Sequence, residues 1–172
     1  GGCVGCSIGY HLARDSSLDI CIIEKEHHLA AHQSGRNSGV LHPGFNYPPG
    51  SLKAQFATRG TERMKTYCRS NDVRVDELGV LVVATDAEER QRLSEIQAQA
   101  DENGVKTELL EDENEIHHYE PNASGEAALY CPEAASVDSQ QYVYSLAGDA
   151  GELGVDFFTG YEVKDVDQSN ES

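Results

Sequence analysis

Positive charge is what this sequence is shortest of. Thirteen Lys and Arg, only five of them Lys, stand against thirty Asp and Glu, for a formal net charge of −17. So acidic a chain repels a phosphate backbone and an anionic lipid surface, which argues against nucleic acid and such membranes as partners. Long apolar runs are lacking as well: nothing reaches the length of a bilayer span, and no signal peptide is visible. The five cysteines (Cys3, Cys6, Cys21, Cys68 and Cys131) are odd in number and scattered, which suits a reducing compartment rather than a disulfide framework. Cys3 and Cys6 form one C-x-x-C, but the second pair a zinc site needs is missing, so they read as small packing residues. There is no internal repeat and no low-complexity segment. What remains, 38% hydrophobic residues in 172, is enough for a buried core and too much for a disordered acidic chain. The acidity also fits adaptation to high salt, where dense carboxylates keep a surface hydrated.

The most informative stretch is Gly1–Glu24. GGCVGCSIGYHLAR places Gly1, Gly2 and Gly5 ahead of an apolar helical pattern, with Ile8, Leu12 and Ala13 expected to face a sheet. LDICIIEKE then has the β-branched, buried character of a parallel strand, expected over 18–24. Glu24 ends that run 19 positions after Gly5. Glycines that let the backbone approach a pyrophosphate at a helix N-terminus, followed by an acid about 20 residues on to hold a ribose diol, are the parts of a dinucleotide site. In the pattern G-x-G-x-x-G, Gly2 and Gly5 take the second and third places. The first glycine and the strand before it are expected to precede residue 1. A carboxylate at Glu24 also disfavours a ligand with a 2′-phosphate.

From Lys25 to Gly50 no period is sustained, and a loop this long in a compact domain is usually functional. Ser51 then caps a long helix with Leu52, Phe56, Met64 and Tyr67 on its expected apolar side. VRVDELGVLVVAT predicts a hairpin or strand pair joined near Glu77–Gly79. Asp86 caps a polar helix ending near Gly104. A short strand (VKTELL), a short helix stopped by Pro121, a strand (AALYCP), a helix capped by Asp138 or Ser139, and a strand pair (VDFFTG and YEVKDVD) complete the chain. This order predicts an α/β protein: a Rossmann-like nucleotide domain, its first strand missing, over 1–71 and 131–172, with an inserted α+β substrate domain over 72–130.

HQSGRNSGVLHPGFNYPPGSLKAQF, set just after a Gly-loop–helix–strand–Glu unit, closely resembles the L-2-hydroxyglutarate oxidase/dehydrogenase family, FAD enzymes of the D-amino-acid-oxidase-like superfamily. The similarity continues through LGVLVVAT, Glu120–Asn122, Ser136–Gln141 and the stretch ending at Val163, and so covers nearly the whole chain. It implies FAD as cofactor and a Rossmann-like FAD-binding domain. It implies oxidation of a 2-hydroxy dicarboxylate, L-2-hydroxyglutarate, to the 2-keto acid by hydride transfer to flavin N5, with oxygen or a quinone as electron acceptor. The cofactor-binding set it implies is Gly1, Gly2, Gly5, Glu24, Lys25, Ser34, Asn37, Ser38, Gly39 and Val163. Ser34 to Gly39 would line the pyrophosphate, ribityl chain and flavin edge, and the Val163 backbone would meet the adenine.

His42 is the candidate catalytic residue. Removing the hydroxyl proton of a 2-hydroxy acid suits a histidine titrating near neutral pH; hydrogen bonding to flavin or backbone is the alternative role. Lys53 and Arg59 are cationic candidates for a dicarboxylate, although surface solubility also explains them. The adjacent pairs His27–His28 and His117–His118 face different ways and have no ligand spacing, so no metal is expected. Three other readings remain open: an amine or amino-acid oxidase of the same superfamily, an NAD-linked dehydrogenase domain, and an inactive FAD-binding fragment. The expected location is the cytoplasm, with peripheral attachment at the inner face of the membrane as a variant of it.

Overall fold

The computed structural model describes residues 1–167; the polar tail after them lies outside the described residues. In chain order the elements are α1 (Cys3–Asp15), β1 (Cys21–Glu24), β2 (Val40–Leu41), α2 (Leu52–Ser70), β3 (Val75–Asp76), β4 (Val80–Ala84), α3 (Ala87–Glu102), β5 (Glu108–Leu110), α4 (Glu113–Tyr119), β6 (Ala127–Cys131), β7 (Ala135–Val137), α5 (Ser139–Glu152) and β8 (Asp156–Thr159). They form two compact units, one of residues 1–38 with the chain from Asp138 onward, the other Gly39–Val137.

In the first unit β1 and β8 pair in parallel, Cys21 opposite Asp156 and Glu24 opposite Thr159. Parallel neighbours need a crossover, and α1 and α5 are the helices of this unit. The face α1 buries is small: Cys6 and Gly9. A Cβ on Gly9 would lie 2.7 Å from Ile22 Cδ1, so the helix approaches the strand too closely for a larger residue. Of the three residues expected on that face, Ile8 and Leu12 are turned outward, 55% and 44% exposed, and Ala13 is half-buried. Asp138 caps α5 by accepting from the Gln141 N–H at 2.9 Å. After β8 the chain stays beside β1 for two more bonds, the N–H groups of Gly160 and Tyr161 donating to the carbonyls of Glu26 and Glu24. Of the strand pair expected at VDFFTG and YEVKDVD, the first is β8 and the second, residues 161–167, forms no strand.

The second unit holds two three-stranded antiparallel sheets, in the orders β2-β7-β3 and β4-β6-β5. The central strand of the second sheet carries its side chains alternately to two helices. Ala127 and Leu129 meet Leu93 and Ile96 of α3, while Ala128 packs with Ile116 of α4 and Leu110. Asp86 and Asp112 cap the two helices, and the Glu89 carboxylate returns to the N–H and hydroxyl of Thr85, one residue before the cap. β3 and β4 adjoin in sequence but are not a hairpin, since β3 pairs with β7 and β4 with β6. β7 ties residues 40–41 and 75–76 together, so this unit begins at Gly39 and is longer than the 72–130 stretch expected of the insertion. On α2 the buried residues are Ala54, Thr61, Lys65 and Cys68, whereas Leu52 and Phe56 are each 67% exposed. Of the expected apolar side, Leu52 and Phe56 are thus outward while Met64 and Tyr67 are half-buried, and a hydroxyl and one paired lysine share the inward face with Ala54 and Cys68.

Candidate cofactor cradle and histidine site

The first unit assembles a polar cradle at the start of α1. Gly2 is the N-cap, in extended conformation, and supplies no capping side chain. That role passes to Ser34, which lies far on in sequence: the Cys3 N–H donates to Ser34 Oγ at 2.9 Å. The chain returns to this point through a tight turn, the Ala30 N–H donating to the Gly1 carbonyl at 3.0 Å. Ala30 holds a positive φ of 55°, and a Cβ on Gly35 would run into its carbonyl oxygen. Asn37 stabilises the same turn, its amide donating to the carbonyls of Gln33 and Ser34 at 2.8 and 3.0 Å. Ser38 is exposed at the end of this segment.

Room for a side chain is short where the backbone passes these groups. A Cβ on Gly2 would sit 2.9 Å from Ser34 Oγ, and one on Gly1 would sit 2.8 Å from Glu24 Oε2. Gly5 differs, since a Cβ there meets nothing within 4 Å. No acidic residue occupies the first turn of α1, so the partial positive charge of the helix start is uncompensated by the helix itself. Glu24 ends β1 with its side chain only 14% exposed. The Glu26 N–H donates to Glu24 Oε1 at 2.9 Å, and this bond, first among the causes, holds the carboxyl below its usual range. Lys25 points outward, 3.8 Å from Glu26 Oε1. Glu26 instead bonds His32 Nε2 at 2.7 Å, a pair adjoining the cradle that no sequence spacing had indicated. Val163, 55% exposed, follows the two bonds that align the chain with Glu24 and Glu26.

Gly39 and His42 belong to the second unit. Gly39 has φ +70°, its carbonyl accepts from the Val137 N–H, and a Cβ there would run into the Val137 carbonyl. The fold alone therefore demands glycine at that position. His42 leaves β2 with its ring tilted 6.0 Å from the buried ring of Phe45. Lys53 Nζ lies 4.1 Å over the Tyr47 ring, and Arg59 lines an open cavity of about 300 Å³ with Gln55, Glu102 and Asn103. Among the described residues no three His, Cys, Asp or Glu side chains converge as a metal site would require. The thiols of Cys3, Cys6 and Cys131 are pushed up by burial, and that of Cys68 to about 11, as inert packing residues would be.

Comparison with known proteins gives concordant results. The DAO family, described as FAD dependent oxidoreductase, matches residues 1–172. The L-2-hydroxyglutarate dehydrogenase of Pongo abelii, named as mitochondrial, is 38% identical over the whole of this chain, which spans 41% of that protein. A bacterial L-2-hydroxyglutarate dehydrogenase from Indibacter alkaliphilus is 33% identical over 99% of the chain and 43% of its own length. Among solved structures, dithionite-reduced L-alpha-glycerophosphate oxidase from Mycoplasma pneumoniae with FAD bound superposes with a TM-score of 0.87. It is 27% identical, over 95% of this chain and 44% of that one. The chain thus spans about two fifths of the length of the curated relatives it matches. Among the described residues no helix is long and apolar enough to cross a membrane.

Proposed function

Because the chain belongs to the DAO family of FAD-dependent oxidoreductases, we propose that it forms the adenosine- and pyrophosphate-binding part of an enzyme that oxidises L-2-hydroxyglutarate to 2-oxoglutarate. The observation that carries the substrate is the 33–38% identity, along essentially the whole chain, to proteins named for that dehydrogenation. The cofactor is FAD, which removes the NAD-linked alternative.

The residues present fit the group. The start of α1 offers backbone N–H donors and uncompensated helix charge to a pyrophosphate. Gly2 keeps the approach clear of a side chain, and the Ser34 hydroxyl adds a donor beside the Cys3 N–H. Glu24, mostly buried and held ionised by the Glu26 N–H, suits the two hydroxyls of the adenosine ribose. Asn37 acts through the turn that carries Ser34, and Lys25 would bring its positive charge from the outer side, where it stands against Glu26. The Val163 backbone would serve the adenine. Bound flavin supplies the hydride acceptor, at N5, for the hydrogen on the substrate carbon. His42 accepts the proton of the substrate hydroxyl at a ring nitrogen, a step typically worth about 10²–10⁴ in rate. Oxygen or a quinone would serve as the electron acceptor.

Substrate turnover by the full-length flavin-loaded protein, with an artificial electron acceptor, tests this reading. L-2-hydroxyglutarate should be consumed with stoichiometric 2-oxoglutarate formed. Turnover of glycine or sarcosine in its place would replace this reading with an amine oxidase.

A further inference from the structure

The segment carrying His42 is held in an unusual way. His42 and Pro43 leave β2, Gly44 turns the chain at φ +92°, and Phe45 inserts, 2% exposed, among Ala100, Val105 and Cys131. The carbonyls along this path are taken by side chains from two helices. Thr61 Oγ1 donates to the His42 carbonyl at 3.2 Å, and Thr58 Oγ1 stands 2.9 Å from the Pro43 carbonyl and 3.0 Å from the Ala54 carbonyl, which share its one proton. Asn103, the C-cap of α3, donates from Nδ2 to the carbonyls of Gly44 and Tyr47, at 3.0 and 2.9 Å. Both amide protons of Asn103 are thus committed to a segment 56 and 59 residues away in sequence. Thr61 is itself buried, 5% exposed, on a helix face where an apolar residue would ordinarily pack.

A chain bearing a catalytic group must be fixed to a fraction of an ångström. We infer that Asn103 and Thr61, supported by Thr58, are positioning residues for His42: they fix the main chain from which the imidazole projects, and so set its approach to the substrate hydroxyl. The inference rests on the reading of His42 as the base. Only groups inside Gly39–Val137 are involved, so the clamp is a property of that unit by itself. Asn103 is irreplaceable by aspartate in this arrangement, because a carboxylate would face two carbonyl oxygens with no proton to give.

The test compares Thr61→Val, Thr61→Ser, Asn103→Ala and His42→Gln in the full-length protein. Two readouts are taken: steady-state kinetics on L-2-hydroxyglutarate across pH in the flavin-loaded form, and amide exchange over residues 42–47 in the flavin-free form. Thr61→Val and Asn103→Ala should each speed exchange over 42–47. They should also lower kcat by roughly 10-fold or more with a smaller change in KM, and displace the pH profile, since a misplacement of about 1 Å can cost 10²-fold. Thr61→Ser should restore all three. Faster exchange with wild-type kcat and pH profile would reduce the clamp to a structural feature and overturn the inference, as would unchanged exchange. If His42→Gln is impaired while Thr61→Val and Asn103→Ala turn over normally, positioning fails and the base reading stands. If His42→Gln turns over as wild type, the base reading fails and the inference falls with it. Should Asn103→Ala not fold, the Thr61 variants decide the matter, since valine exchanges the hydroxyl for a methyl group and serine keeps the hydroxyl.

Discussion

Gly2→Ala separates the stability of the cradle from its ligand affinity. Gly2 has φ −96° and ψ −174°, an extended conformation that alanine adopts freely, so backbone strain plays no part. The added Cβ would stand 2.9 Å from Ser34 Oγ. A hydroxyl can rotate away, and the cost to the flavin-free protein is then the lost Cys3 N–H···Oγ bond, about 1 kcal/mol. The ligand suffers more. A methyl group at the mouth of α1 holds a phosphate oxygen off the first N–H groups and displaces the serine donor, removing at least one hydrogen bond to a charged acceptor. Such a bond contributes about 1.5–3 kcal/mol, and at about 1.4 kcal/mol per decade the dissociation constant for FAD should rise roughly 10- to 100-fold. The assay is FAD titration into flavin-free full-length protein, followed by quenching of flavin fluorescence, with a thermal melt of the same preparation. A melt lowered by a few degrees with unchanged FAD affinity would refute the assignment of the α1 start as the pyrophosphate site.

Acid should destabilise the protein in a defined window. The carboxyls of Glu24, Glu77 and Glu89 lie below the usual 4.5, held there first by the Glu26 N–H, the Arg69 guanidinium and the Thr85 N–H respectively. Their folded values being depressed, they contribute fully above the ordinary glutamate value and the contribution is lost as pH falls through the folded values. Urea denaturation should therefore give a flat midpoint through neutral pH and a decline beginning near 4.5, shallower in Glu24→Gln; a midpoint that rises on acidification would contradict this. Gly39→Ala should destabilise whether or not flavin is bound, by at least about 1–2 kcal/mol for a left-handed alanine, before the clash with the Val137 carbonyl is counted. A flavin-free protein that melted unchanged would return Gly39 to a purely ligand-directed role.

The two kinds of contact in this protein differ in how far they can be read from sequence. The cradle is local in its logic: Gly2 and Glu24 flank one helix and one strand, and their spacing follows from the length of that unit. Ser34 was legible only through the resemblance of its whole segment to a family, since nothing periodic marks it. The clamp on His42 was not legible at all. Asn103 merely precedes Gly104, where the helix is expected to end, and its bonds to Gly44 and Tyr47 span 59 and 56 residues. The inward face of α2 misled for a related reason. Carbonyls of the His42 segment need donors, so the side of α2 carrying Thr58 and Thr61 is turned inward, and the side carrying Leu52 and Phe56 is exposed. Of the two readings of VRVDELGVLVVAT, the strand pair is present and the hairpin is not, because the partners of β3 and β4, β7 and β6, lie far along the chain.

The most direct test of the central claim is a single anaerobic turnover. Flavin-loaded full-length protein, mixed with L-2-hydroxyglutarate, should bleach its visible flavin band in a stoichiometric step that yields 2-oxoglutarate. Deuterium at the substrate C2 should slow that step, since it is the bond to that hydrogen that breaks. Retention of the oxidised flavin spectrum with L-2-hydroxyglutarate, while glycine or sarcosine bleaches it, would contradict the account.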